Sequence, residues 1–223
     1  MTNRSIHISC GLNPIDHTFR FTNAFDKPSF IVRLFTGPNT KYYGLCGGMC
    51  FAVLDYFYAK IPISQQTSVP EQASPLRKYL QKRQKTTLSL GNTIFRIILW
   101  MLRKDQKIAR ITAYRELPKI RKSLQRGEAV PVVLIREKQL RKITGNHQVL
   151  VTAMDYESDK GLTTLTVYDP NHPSVQTPVQ ILVEHHSMEG KITIHQTTGE
   201  PLRGFYQISY HPHKPPAISG NAT

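Results

Sequence analysis

The chain has 223 residues, 39% hydrophobic and 20% charged, which suits one large globular domain or one domain carrying an insertion. No run reaches the roughly 18 apolar residues of a membrane span, and MTNRSIHISCGLNPIDH at the start lacks the apolar run of a secretory signal. The net charge of +14 is lopsided, because residues 76–126 hold 15 Lys+Arg against Asp105 and Glu116 alone.

Cys10, Cys46 and Cys50 are too sparse and too odd a set for a disulfide framework. The expectation is a soluble protein with free thiols, cytoplasmic or exported without a cleaved signal peptide.

Residues 1–41 read as irregular or short extended pieces, with FIVRLF at 30–35 as a strand and TGPNT at 36–40 as a turn. From Cys46 to about Ala59, the spacing of Met49, Cys50, Val53, Leu54 and Phe57 predicts a helix, stopped by Ile61-Pro62. A Ser-, Gln- and Pro-rich loop covers 62–75. Residues 76–126 read as three helical pieces: basic RKYLQKRQ, an apolar one at about 91–104, and an amphipathic one at about 113–126 that ends at Gly127. Pro118 would have to sit in the first turn of the third piece, so that helix is expected to start at Glu116 or Leu117.

After Gly127 the pattern turns to strands. VPVVLI (130–135), HQVLVTAMDY (147–156) and LTTLTVYD (162–169) come first, then QILVEHH, KITIHQT and RGFYQISY. Helices followed by a mostly antiparallel sheet make an α+β fold. One domain is expected over 1–210, with a disordered tail at 211–223.

Three residues carry chemistry in the order Cys, His, Asp. Cys46 opens a helix, where unpaired N–H groups and the helix dipole favour a thiolate. Gly47 and Gly48 follow it, at a cost of about 1 kcal/mol each relative to alanine. They either clear space for a group approaching the sulfur or permit close packing. His147 starts a core strand, at the rim where it can reach a helix N-terminus and take the thiol proton. Its alternative is an ordinary surface histidine. Asp169 closes LTVYDP, where its carboxylate could orient the imidazole, with Asn171 as the rival orienter. The alternative there is a plain Asp-Pro-Asn turn. A metal site from Cys46, Cys50, His147 and His172 lacks the short paired spacing of structural zinc. Cys50 reads as a core residue.

YYGLCGGMCF, GNHQVLVTAMDY and LTVYDP together resemble the papain-like cysteine peptidase superfamily over about residues 36–172. LTVYDP is similar to the strand end of bacteriocin-leader-processing peptidase domains. The resemblance implies a nucleophile-bearing central helix packed on the sheet. It implies a Cys46–His147–Asp169 triad performing acyl transfer on a peptide or other amide, with no cofactor and no metal. Many such peptidases also carry a glutamine six residues before the cysteine, as an oxyanion donor. Thr40 stands there in this chain, and Asn39 beside it is the substitute the sequence offers.

The basic stretch reads either as a solvated wall, packing Ile94, Ile98 and Met101 inward with its arginines in water, or as a field drawing an acidic substrate or partner. FRIILWML with Arg96, Arg103 and Lys104 has the ingredients for peripheral contact with an anionic membrane. Nucleic acid is disfavoured, because no helix-turn-helix, zinc finger or stacking motif accompanies the charge. A non-catalytic papain-fold binding protein using this basic face is the alternative to an enzyme.

Overall fold

The computed structural model describes residues 5–27, 39, 41–89, 93–173, 176–186 and 189–217. The strand-forming runs of the C-terminal half make one antiparallel sheet. It contains β4 (Val130–Ile135), β5 (His147–Glu157), β6 (Leu162–Tyr168), β7 (Val179–His186), β8 (Lys191–Gln196) and β9 (Gly204–Gln207). Their order is β8-β7-β6-β5-β4-β9, and β1 (Ser5–Ser9) pairs with the far half of β5. A separate two-stranded piece joins β2 (Phe25–Asp26) to β3 (Tyr42–Tyr43). Every strand expected after Gly127 forms, within a few residues of its expected ends. The strand expected at 30–35 lies outside the described residues.

The helices are α1 (Cys46–Tyr58), α2 (Pro75–Ser89), α3 (Thr93–Met101), α4 (Asp105–Ile111) and α5 (Leu117–Gln125). Helix α1 ends before Pro62, with Lys60 at φ 56° and N–H bonds from Lys60 to Phe57 O and from Ile61 to Tyr56 O. Helix α5 starts at Leu117 with Pro118 in its first turn, as expected, but it forms one continuous rod with α4 through a π-turn, Thr112–Glu116. Pro118 has no N–H and its ring crowds the carbonyl four residues back. The wider π-turn just before it relieves both conflicts. Gly127, at φ 76°, ends the rod as expected of a C′ glycine.

VPVVLI is buried along its whole length because both sheet faces are covered. On one face Val132 and Leu134 pack with Leu117, Ile120 and Leu124 of α5. On the other, Val133 and Ile135 pack with Ile97, Trp100 and Met101 of α3, while Leu150 meets Met49, Cys50 and Val53 of α1.

The basic stretch departs from its expected form in two ways. Arg77 and Arg83 are buried rather than solvated, in ion pairs of 2.7 Å with Asp26 and Asp55. Helix α3 turns Ile97 inward with Met101, and Ile94 faces outward. The supposed tail also has structure through residue 217. Tyr210 Oη and the His213 N–H each donate to Asp55 Oδ1 at 2.8 Å, and Tyr56 Oη donates to Pro216 O. No described helix is long and apolar enough to cross a membrane.

Candidate active site

Cys46 is the first residue of α1 and stays half-buried. No side chain caps the helix, so its first N–H groups are left for other acceptors. Gly47 N–H, with Gln148 N–H from β5, bonds the Cys46 sulfur. Gly48 N–H donates to Gln84 Oε1 of α2 at 2.8 Å.

The two glycines are explained by packing. A Cβ on Gly48 would stand 2.2 Å from the backbone oxygen of Leu80, where α2 crosses α1. A Cβ on Gly47 would meet the Gln148 amide at 2.2 Å and the Thr87 hydroxyl at 2.6 Å. The space left by both glycines is therefore filled by the protein itself. That close crossing brings Gln84 and Thr87 to the first turn of α1, beside Cys46.

His147 is buried, in contrast to the surface histidine that a strand end usually carries. Its Nε2 lies 2.6 Å from Asp169 Oδ1, and it also hydrogen-bonds the Cys46 sulfur. Since Nε2 is engaged by the carboxylate, Nδ1 is the nitrogen left for the sulfur. The antiparallel register, with Leu150 opposite Tyr168, brings the start of β5 and the end of β6 together. Residues 22 apart in sequence thus become neighbours.

The electrostatics follow from this geometry. Burial pushes the Cys46 thiol up, but the hydrogen bond and charge of His147 outweigh it, with help from the Gln148 and Gly47 N–H groups, and the net shift is downward. Burial likewise works against the imidazolium, yet hydrogen bonds to Asp169 and Cys46 raise His147 to about 9. Asp169 is fully buried; its hydrogen bond to and the charge of His147, with Asn171 N–H and Gln196, overcome burial and hold it below the usual carboxylate range. The opposed shifts of Cys46 and His147 both favour the charged forms, thiolate and imidazolium.

Between the two candidate orienters the geometry selects Asp169. Asn171 supports it instead, donating its N–H to Asp169 Oδ1 at 2.8 Å. Asp169 Oδ2 accepts from Gln196 Nε2 at 2.7 Å, and Gln196 Oε1 accepts in turn from Arg136, which forks onto Glu200. Nothing near Gln196 in the sequence marks it, since it is one polar residue in a strand-like run.

Asn23 was also invisible in the sequence. Its Oδ1 accepts the Leu45 N–H just before Cys46, and its Nδ2 donates to Asn171 Oδ1 at 2.9 Å. Asn39 is exposed and in a turn, with no hydrogen bond to Cys46 among the described residues.

Cys50 is a core residue, its thiol 3.6 Å from Gln148 O. Among the described residues, the potential metal ligands that converge are Asp169, His172 and Glu200, a different set from the one considered above. Asp169 and Glu200 are already committed to His147, Gln196 and Arg136. Compared with family models, curated proteins and solved structures, the chain has no match in any of the three.

Proposed function

We propose that the protein is a papain-like cysteine hydrolase acting on amide bonds. The observation that carries this reading is the Cys46–His147–Asp169 chain: a lowered thiol bonded to a raised imidazole, itself 2.6 Å from a buried carboxylate. Three groups distant in sequence share one line of hydrogen bonds, which is the arrangement nucleophilic acyl transfer requires.

In the proposed reaction the Cys46 thiolate attacks the amide carbonyl carbon, forming a C–S bond and an oxyanion. The oxyanion is received at the first turn of α1 by the Cys46 N–H and by the second amide proton of Asn23, which is braced beside Leu45. Collapse breaks the C–N bond, and the His147 imidazolium gives its proton to the leaving amine. Water then attacks the thioester while His147 takes its proton, and the acid and the Cys46 thiolate are released. Asp169 keeps the ring aligned throughout.

Iodoacetamide labelling at neutral pH, read by intact mass and peptide mapping, tests the nucleophile. Cys46 should carry the label, Cys46→Ala should take none there, and His147→Ala should slow labelling by more than about tenfold. With a fluorogenic amide substrate, Asn23→Ala should cost about 10²–10³ in turnover. Labelling of Cys46 no faster than Cys10, and unchanged by His147→Ala, would overturn the assignment.

A further inference from the structure

We infer that the outward face of α3, with the 3₁₀ turn Leu140–Gly145 packed beside it, is a docking surface for an anionic membrane leaflet. Helix α3 buries Ile97, Trp100 and Met101 against the sheet. Its other side leaves Ile94 46%, Phe95 58% and Leu99 40% exposed, and Leu102 just beyond it 64%. Leu140 of the neighbouring turn is 49% exposed. Five large apolar side chains in two touching elements are more than the scattered surface leucine that needs no explanation.

The charge around them is mostly positive, with Asp105, just past the helix, paired to Lys138 at 2.7 Å. Residues 93–104 and 138–145 carry Arg96, Arg103, Lys104, Lys138, Arg141 and Lys142 and no acid. Lys104, Arg141 and Lys142 are exposed. Arg96 is turned inward, over the ring of Tyr206. Aliphatic and phenyl groups bordered by cations match a leaflet whose phosphates lie just outside its acyl region.

Two other occupants fit less well. A second copy of the chain would bring two cationic patches face to face. A protein partner would be expected to meet outward Trp and Tyr anchors, whereas Trp100 here points inward against Tyr206. The patch adjoins the catalytic strand, because Asn146, the residue before His147, donates from Nδ2 to Met101 Sδ of α3 at 3.2 Å. Docking would therefore hold the site close to the leaflet.

The chain's single tryptophan, Trp100, lies on α3 and reports on this helix alone. The experiment mixes the full chain with vesicles of phosphatidylglycerol and phosphatidylcholine in equal parts, some carrying acyl-brominated lipid. It measures co-sedimentation and bromine quenching of Trp100. The expected result is co-sedimentation and quenching with anionic vesicles and neither with phosphatidylcholine alone. Phe95→Ser/Leu102→Ser should weaken partitioning by about tenfold or more. Lys104→Gln and Lys142→Gln should each weaken it by about fivefold, as should added salt. Unchanged circular dichroism shows that a variant is folded, and the lysine variants decide the matter if the serine variant is not. No co-sedimentation, equal binding to neutral vesicles, or sedimentation without quenching overturns the inference. So does a dimer in ultracentrifugation that the serine variant loses.

Discussion

At the scale of single residues, the site depends on opposed shifts in two groups that share a hydrogen bond. The thiol is lowered by His147, and His147 is raised to about 9 in part by the thiol, so each group favours the charged form of the other. Alkylation of Cys46 should therefore rise at a pH below the ordinary thiol range of about 8.5. It should then change again only near 9, as the imidazolium loses its proton. Cys10, whose thiol burial pushes upward, should react only in alkaline solution. Gln196→Leu strips Asp169 Oδ2 of its donor, so the carboxylate becomes more basic and its charge, less offset, holds the imidazolium more tightly. The alkaline step in the Cys46 rate profile should move above 9 in that variant, a change that a purely structural role for Gln196 would not produce. Cys46, His147 and Asp169 were legible because a nucleophile, a base and a carboxylate sit at element ends in a recognisable order. Gln196 and Asn23 were not, because an amide has no local signature and these two acquire a role only through partners 27 and 22 residues away.

At the scale of elements, the crossing of α1 and α2 is held open by a missing side chain. Gly48→Ala drives a methyl into the Leu80 carbonyl, which is backbone and cannot step aside. Gly47→Ala meets side-chain atoms of Gln148 and Thr87 rather than backbone, and these give more readily than a carbonyl held in a helix. Overpacking typically costs about 1–3 kcal/mol, against about 1 kcal/mol returned by alanine's helix propensity. Urea melts should accordingly show Gly48→Ala clearly less stable than the parent and Gly47→Ala close to it. Strand positions were legible to within a few residues, since period-two and β-branched runs bounded by turns are local signals. The start of α5 at Leu117 was legible, but its continuity with α4 was not, because Pro118 argues locally for a start. The π-turn that absorbs it is held from outside the helix, by Thr112 Oγ1 bonded to Phe205 and Glu116 Oε2 accepting the Gln207 N–H.

At the scale of the whole molecule, one buried carboxylate ties three distant segments together. Asp55 of α1 pairs with Arg83 of α2, both fully buried, and accepts from Tyr79, Tyr210 and the His213 N–H. Asp55→Ala leaves Arg83 as a buried cation without its counter-charge and should cost about 3–5 kcal/mol in a urea melt. Truncation after Tyr210 removes no counter-charge, only backbone groups: His211 O, which accepts from Arg83, the His213 N–H, which donates to Asp55, and Pro216 O. Its expected cost is smaller, about 1–3 kcal/mol. A truncated chain as stable as the parent would mean that residues 211–217 only rest on the surface. The basic stretch divides on the same principle. Arg77 and Arg83 serve the interior, and much of the remaining positive charge faces solvent around α2 to α5.

Read alone, the sequence was enough to establish the α+β class and the antiparallel strands, and to single out Cys46, His147 and Asp169, which the fold brings together. Each of these rests on periodicity, propensity or position at an element's end, which are properties of neighbours in the chain. Tertiary structure alone decided that the glycines serve helix crossing, that two arginines are interior and that α3 turns an apolar face outward. It also decided that Gln196 bonds Asp169 and that Asn23 braces Leu45 beside Cys46. Burial and hydrogen-bond partnership belong to pairs of groups brought together by the fold, and no window along the chain contains both members.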